Sequence, residues 1–384
     1  MLRYLTAGES HGRALLVIVE GLPAGLPLTV EDVQGELGRR RLGYGRGPRM
    51  RFEADEVTLV SGVLHGETIG SPVGIEIKNS EWEKWEETMS PAPGGGGRRL
   101  TQPRPGHADL AGMQKYGFDE VSKILERASA RETAARVAAG TCAKSLLACL
   151  GVAVLSHVVA LGAAVSKATA RPLPSDLPTI DESPVRCFDD EAEDAMVAEV
   201  KAAMRDGDSL GGAVEVLAYG VPVGLGSHVH WDRKIDGMLM QSIGSIQAVK
   251  AVEIGDGVEV STRRGSVAHD PIGWDASSRS YRRETDFAGG IEGGITTGAL
   301  VWARAYMKPL ATLARPTLAT VDVETKAETV SFKERTDATA VPAMGVVAET
   351  MMALVLASES LRKFGGDSVT ELVRNRDAFV ASLA

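Results

Sequence analysis

Cysteine is scarce: Cys142, Cys149 and Cys187 are an odd number with no C-x-x-C spacing. That excludes a disulfide framework and a thiolate zinc site, and it predicts a reducing, cytoplasmic setting. Long apolar runs are lacking as well. The best window, Val341 to Ala357, is broken by Glu349, so none reaches the roughly 18 uncharged residues of a membrane span. Met1-Leu2-Arg3-Tyr4 carries no apolar signal core, and no export signal is predicted. Nothing matches the P-loop G-x-x-x-x-G-K-[ST] or the hydrolase G-x-S-x-G. Gly43-Tyr44-Gly45-Arg46-Gly47 follows no strand and does not fit the dinucleotide fingerprint. Aromatics make up 5% and are not interleaved with the arginines; with a net charge of −9, this argues against nucleic-acid binding.

What is present is an ordinary globular balance, 44% hydrophobic and 24% charged over 384 residues. Such a chain buries roughly 75% of its unfolded surface and needs no metal or disulfide to fold. Length alone allows two or three domains or one large one. Two features stand out. Arg39, Arg40, Arg41, Arg46, Arg49 and Arg51 fall within 13 residues, and Arg98, Arg99 and Arg104 form a second group. Basic clusters on an acidic protein suggest a site for a small anion, although any single arginine is more often a solvated face. Glycine, at 43 residues, comes in bursts at 94–97, 211–212 and 289–298, which marks tight turns or close backbone approach to a ligand. The Pro91–Gly97 burst predicts a flexible surface excursion, and Arg171–Asp190, rich in Pro and Asp, predicts a long loop.

Periodicity predicts a mixed α+β fold with antiparallel pairing. Strands are expected at Ala14–Val19, Val57–Leu64, Val73–Ile77, Val152–Val159, Ala213–Tyr219, Val249–Ile254, Leu300–Met307 and Thr317–Val323. Helices are expected from Thr29 onward, at Glu191–Arg205 and Arg233–Ser242, and at Pro342–Phe364, the last apolar nearly all round. Ser129-Ala130-Arg131-Glu132 reads as a capping box that opens a helix running to Leu150, an N-terminus suited to an anion. Gly21–Leu26 and Gly220–Leu225 share a G-x-P-x-G-L pattern, a hint of an internal repeat.

Seven histidines can be weighed singly. His11 in Gly8-Glu9-Ser10-His11-Gly12 and His107 in Arg104-Pro105-Gly106-His107-Ala108-Asp109 sit in glycine-flanked polar loops, where imidazole can serve as acid or base. His65 and His157, on strand-like segments, read as structural. His228 and His230 share a strand face but lack a third ligand, so an exposed strand end is the better reading. Asp337, before the apolar helix, reads first as a cap. Taken from the residues alone, this is a site for a polyanion with two candidate acid/base histidines.

At these motifs the chain closely resembles the chorismate synthase family over nearly its whole length. The blocks are GESHG (Gly8–Gly12), RRRLGYGRG (Arg39–Gly47), SGVLHGETIGSPVGIEIKN (Ser61–Asn79), RPGHAD (Arg104–Asp109), QKYG and RASARETAARVAAG (Arg127–Gly140). GDSLGG, GVPVGLG, IQAVKAVEIGDG, AGGIEGGITTG (Ala288–Gly298), MKPLATL and RTDATAVPA follow in order. The resemblance implies a β-α-β sandwich, one large domain over residues 1–384, assembled as a homotetramer. It implies conversion of 5-enolpyruvylshikimate-3-phosphate to chorismate and phosphate by 1,4-anti elimination, a lyase step of aromatic biosynthesis that needs reduced FMN without net redox change.

By the same resemblance His11 protonates the departing phosphate and His107 protonates the reduced flavin at N1. Asp337 works with flavin N5 on the C6 proton, and Ser10 and Ser129 relay protons. Arg40, Arg46, Arg49, Arg104, Arg131 and Arg335 are implied substrate ligands, in keeping with two carboxylates and a phosphate. Flavin contacts implied are Arg127, Ala128 and Ser129, Gln247 and Ala248, Gly293, Lys308, Pro309, Leu310, Ala311 and Thr312, and Arg335. For Ser129 the cap and the relay compete for one hydroxyl. The chain departs from the family pattern at Lys123-Ile124-Leu125-Glu126-Arg127, where a glycine-rich run is common, and at Asp286 and Thr297, where asparagines are. NADPH enters as an indirect electron source through an external flavin reductase, and no membrane or nucleic-acid partner is expected. Competing readings are a flavin oxidoreductase on the same scaffold, which consumes reductant with product, and an anion- or RNA-binding module with a steep salt dependence.

Overall fold

Strict alternation builds the first sheet. In the computed structural model, which describes residues 2–46, 55–94, 96–97, 99–277, 279–332 and 337–383, β1 (Arg3–Ala7) pairs antiparallel with β2 (Ala14–Glu20). In β2, Leu15, Val17 and Val19 are buried while Leu16 and Ile18 face outward, the period of a sheet with one covered face. β1 was not anticipated, because its alternation rests on Tyr4 and Thr6 rather than on aliphatic residues. Helix α1 (Val30–Arg40) opens on Thr29, whose hydroxyl accepts from the Asp32 amide while the Asp32 carboxylate accepts from the Thr29 amide. β3 (Glu56–Ser61) and β4 (Val73–Lys78) complete a sheet of order β1-β2-β4-β3, antiparallel throughout.

Next come α2 (Trp82–Trp85), α3 (Asp109–Tyr116), α4 (Ser122–Ala128) and α5 (Glu132–Cys149). The capping box expected at Ser129 does not form. Ser129 stays extended at φ −61, ψ 144, and the helix opens three residues later. The reason lies with Glu132: its carboxylate accepts from Thr6 Oγ1 (2.9 Å), Arg136 Nε (2.8 Å) and Gln247 Nε2 (2.9 Å) and does not reach back to Ser129.

The second sheet is built from β5 (Ala153–Leu161), β6 (Gly212–Tyr219), β7 (Val249–Ile254) and β8 (Val301–Met307), in the order β7-β8-β6-β5 with Ala164–Val165 at the edge. Between β5 and β6 run α6 (Leu177–Glu182) and α7 (Asp190–Asp206); α8 (Ile235–Gly244) precedes β7. The segment 171–190, expected as a long loop, instead holds a 3-10 turn and α6, each with a proline in its first turn, where the missing N–H costs nothing. It covers the outer face of the sheet, where Ile180 packs with Leu155, Leu217 and Trp302. The Pro91–Gly97 burst forms turns over its described residues. Thr317–Val323 contracts to Ala319–Val321, paired with Glu328–Val330.

Helix α9 (Val341–Phe364) and the closing α10 (Val369–Ala381) follow. α5 and α9 cross between the two sheets, α5 against β2 and α9 against β5 and β6, which makes the sandwich. Gly140 permits the crossing, since a Cβ there would lie 2.1 Å from Thr350 Cβ. α9 is long and apolar enough to span a membrane, yet 89% of its most apolar window is buried inside the protein as a core helix. Glu349, the residue that breaks that window, is fully buried. Its carboxylate accepts from Arg39, Lys144, Arg186 and Ser156.

Both sheets repeat one strand order, and both G-x-P-x-G-L segments leave their second strand alike. Thr68 Oγ1 donates to the Pro23 carbonyl (2.5 Å) and accepts from the Leu26 amide (3.0 Å). Thr296 Oγ1 donates to the Pro222 carbonyl (2.7 Å) and accepts from the Leu225 amide (2.9 Å).

Candidate active site

A cavity of about 790 Å³ opens where the loop after β1, the end of α1, α2, the α4–α5 junction, the α8–β7 connection, the end of β8 and the start of α9 converge. Gly8 turns the chain back beside β2 at φ +104; a Cβ there would lie 2.4 Å from the Ala14 carbonyl oxygen. That turn delivers Ser10 and His11 to the cavity.

Cationic side chains dominate the described lining. Arg40, Arg46, Arg104, Arg131, Lys84 and Lys308 face it, against the carboxylates of Glu81 and Asp337. Each arginine is braced before any ligand arrives. Arg40 donates from Nε to Thr133 Oγ1 (2.9 Å) and from Nη2 to the Ala130 carbonyl (3.0 Å). Arg131 donates to Asn79 Oδ1 (3.0 Å) and Asp55 Oδ1 (2.6 Å), while Asn79 Nδ2 donates to the Gly12 carbonyl (2.6 Å) and so ties this arginine to the His11 loop. Arg104 donates to Asp109 Oδ2 (2.9 Å) and Thr312 Oγ1 (3.1 Å). Arg46 Nε lies 3.3 Å from Asp337 Oδ2. Asp337 therefore forms an ion pair on the cavity wall rather than the cap expected of it; the residue in the cap position is Ala340. Preorganised guanidinium groups in a partly dry cleft suit a multiply charged anion.

The two histidines are supported in one way. His11 Nδ1 lies 2.9 Å from Glu126 Oε1, and its ring stacks on Trp85 at 4.1 Å between centroids. His107 Nδ1 makes a short hydrogen bond to the fully buried Asp109. Burial favours the neutral form of Asp109, but hydrogen bonds from His107 and Arg104 and the charge of Arg104 outweigh it and hold its pKa at about 2. A carboxylate on Nδ1 fixes the imidazole tautomer and orientation. Ser129 Oγ donates to Ser10 Oγ (3.1 Å) and accepts from the Arg131 amide (3.3 Å), so its hydroxyl faces Ser10 instead of a capping box.

The cavity is also lined by apolar side chains, Leu125, Ile246, Met307, Leu310, Met344 and Val347. Ala248 holds φ +67 there, strained for a residue with a Cβ, and Gln247 Oε1 is buried without a hydrogen-bond partner among the described residues. Apolar lining, an unsatisfied amide oxygen and a strained backbone edge fit a planar heteroaromatic group with N–H donors.

A family model described as chorismate synthase matches residues 2–361. The chain belongs to the chorismate synthase family. Curated chorismate synthases of Micrococcus luteus and Salinispora tropica are each 57% identical over 392 residues, covering 100% of this chain and 95% and 99% of theirs. A crystal structure of chorismate synthase aligns at TM-score 0.80 and 38% identity, covering 100% of this chain and 98% of that one.

Of the residues the family resemblance implied, the cavity gathers Ser10, His11, Arg40, Arg46, Arg104, His107, Ala128, Ser129, Arg131, Gln247, Ala248, Lys308, Leu310, Ala311, Thr312 and Asp337. Three it does not. Arg127 points to β1, donating to the Thr6 carbonyl (2.8 Å) and Thr6 Oγ1 (2.7 Å). Gly293 sits in the turn between Ile291–Glu292 and Ile295–Thr296, where an added Cβ meets nothing within 4 Å, and Pro309 is outside the lining. Arg49 and Arg335 lie outside the described residues. Asp286 pairs with Arg171, and Thr297 Oγ1 donates to the Gly290 carbonyl; neither reaches the cavity. Of the other histidines, His230 is exposed beside Asp232 in a turn rather than on a strand. Reading the residues singly missed Glu126, Asp109, Asn79, Lys84 and Trp85. Only Asp109 had a local signal, two positions beyond His107; the others reach the site from distant segments.

Proposed function

We propose that this cavity converts 5-enolpyruvylshikimate-3-phosphate into chorismate and inorganic phosphate by 1,4-anti elimination, the reaction of the family. The observation that carries the reading is two histidines, each held by a carboxylate, facing one cavity with four braced arginines. The substrate brings two carboxylates and a phosphate, and Arg40, Arg46, Arg104 and Arg131 neutralise them, with Arg49 and Arg335 assigned alongside. His11, in reach of Ser10, gives a proton to the departing phosphate; lowering leaving-group basicity in this way contributes typically ~10²–10⁴ in rate. Asp337, beside Arg46, takes up the C6 proton. Ala128, Gln247, Ala248, Lys308 and the 310–312 segment would hold reduced FMN, which would lend electron density to the elimination without net redox change. His107, held by Asp109, would supply the proton for N1 of that ring system. Burial, helped by nearby Lys250, lowers the Lys308 amine, which donates to the Gly106 carbonyl (2.6 Å).

Homotetrameric assembly, a cytoplasmic location and flavin reduced by an external NADPH-dependent supply belong to the same reading. An anaerobic assay with chemically reduced FMN, following chorismate and phosphate together, tests it. Equal yields, many turnovers per flavin and no net oxidation are expected. Flavin oxidised in proportion to product would replace the lyase with an oxidoreductase.

A further inference from the structure

The stretch that departs from the family's glycine-rich pattern carries a side chain that grips the leaving-group histidine. Glu126, in the last turn of α4, is buried, and both of its carboxylate oxygens are spent on one residue. Oε1 lies 2.9 Å from His11 Nδ1, and Oε2 accepts from the His11 backbone amide at 2.9 Å. The Glu126 carbonyl in turn accepts from the Ser10 amide at 3.0 Å. Trp85 closes the ring from one face. Ring, main chain and neighbouring serine are thus registered against a single residue 115 positions away in sequence.

We propose that Glu126 is a positioning residue that locks His11 with its proton on Nδ1 and so makes Nε2 the atom that delivers the proton to the departing phosphate. The inference rests on the function proposed above. A carboxylate only accepts, so Nδ1 must donate to it, and any proton that leaves the ring leaves from Nε2. In the step itself the Nε2–H bond breaks as an O–H bond forms on phosphate. The imidazolium becomes a neutral imidazole that keeps Nδ1–H on Glu126. The carboxylate stabilises the charged ring before transfer and holds one tautomer after it. Glutamine cannot do this at the same place. It offers one acceptor oxygen to two donors, so either the ring or the His11 amide meets an NH₂ group.

The test is kinetics of E126Q, H11A and the double variant, with selective ¹⁵N NMR of the histidine side chains. E126Q is expected to lower kcat by about 10²-fold, the low end of a general-acid contribution, with KM little changed. In the H11A background the same substitution is expected to cost nothing further, since its effect runs through His11. In the wild type the His11 ring, assigned by its absence in H11A, is expected to carry hydrogen on Nδ1, and E126Q should lose that population. Equal losses in both backgrounds would make Glu126 merely structural and overturn the proposal, as would a wild-type His11 with its hydrogen on Nε2. If the wild type fails to eliminate phosphate at all, the functional reading fails separately, and the NMR arm still decides the role of Glu126. That arm on wild type also decides it if E126Q does not fold.

Discussion

The two sheets share one strand order and one threonine-locked turn, yet they are put to different uses. After the first strand of the first sheet, the chain loops out through Gly8, Ser10 and His11 into the cavity. After the first strand of the second sheet, it returns at once through Gly162 to the short edge strand Ala164–Val165. Each sheet also has its own histidine–glutamate pair. His11 meets Glu126 at a cavity wall, whereas His157 on β5 faces Glu215 on β6 at 3.4 Å, covered by the 171–190 segment and Phe188. Under the proposed function, the same pair of groups does chemistry in one half and holds structure in the other. What differs is access to a cavity, and connections rather than strands decide that.

The largest expected effect breaks the comparison directly. H11A and H107A should each lower kcat by roughly 10²–10⁴-fold while FMN still binds, and H157A should leave kcat near wild type and lower the melting temperature instead. Anaerobic turnover beside thermal unfolding checks this; a kcat loss in H157A to match H11A would erase the distinction. Next in size is the ion cluster beneath α9. E349A removes the carboxylate shared by Arg39, Lys144 and fully buried Arg186, leaving Arg186 to Asp181, and should destabilise by about 3–5 kcal/mol in urea titration, without displacing any cavity residue. A cost below about 1 kcal/mol would mean that water reaches the cluster.

The smallest effect is in pH. Burial favours neutral Glu215, but hydrogen bonds from His157 and Arg304 and the charge of Arg171 outweigh it and hold its pKa at about 2. Asp109 is held at about 2 by His107 and Arg104 against its own burial. Both pKa values are depressed on folding, so their stabilisation is complete above the unfolded values near ~4 and drains away as pH falls toward 2. Urea midpoints measured from pH 6 down should be flat and then fall within that window. E215Q should show a lower plateau and a shallower fall; an unchanged acid limb would show that Glu215 takes no part.

Much of the framework was legible because it is local. The alternation in Ala14–Glu20 and the Thr29–Asp32 box act within a few residues and stand where periodicity and capping put them. The Ser129 box met the same local criteria and failed, because Glu132 found Arg136, Thr6 and Gln247 within reach. The arginine cluster shows the same limit. Arg39 and Arg40 are neighbours in sequence, but successive helical side chains point about 100° apart. Arg39 therefore goes to Glu349 and Arg40 to the cavity. Glu349 read as an interruption of an apolar run and is the hub of a buried ion cluster.

From its own letters the chain determined its family, most strands of its two sheets and its longer helices, and the two histidines and most of the arginines of the site, since motif order and short-range periodicity are properties of adjacent residues. Only the tertiary structure decided which carboxylate each of those groups meets. Glu126, Asp55 and Glu349 come to their partners from 115, 76 and up to 310 positions away. A buried charge takes whatever partner the packed helices and sheets bring within 3 Å, and no local pattern encodes that meeting.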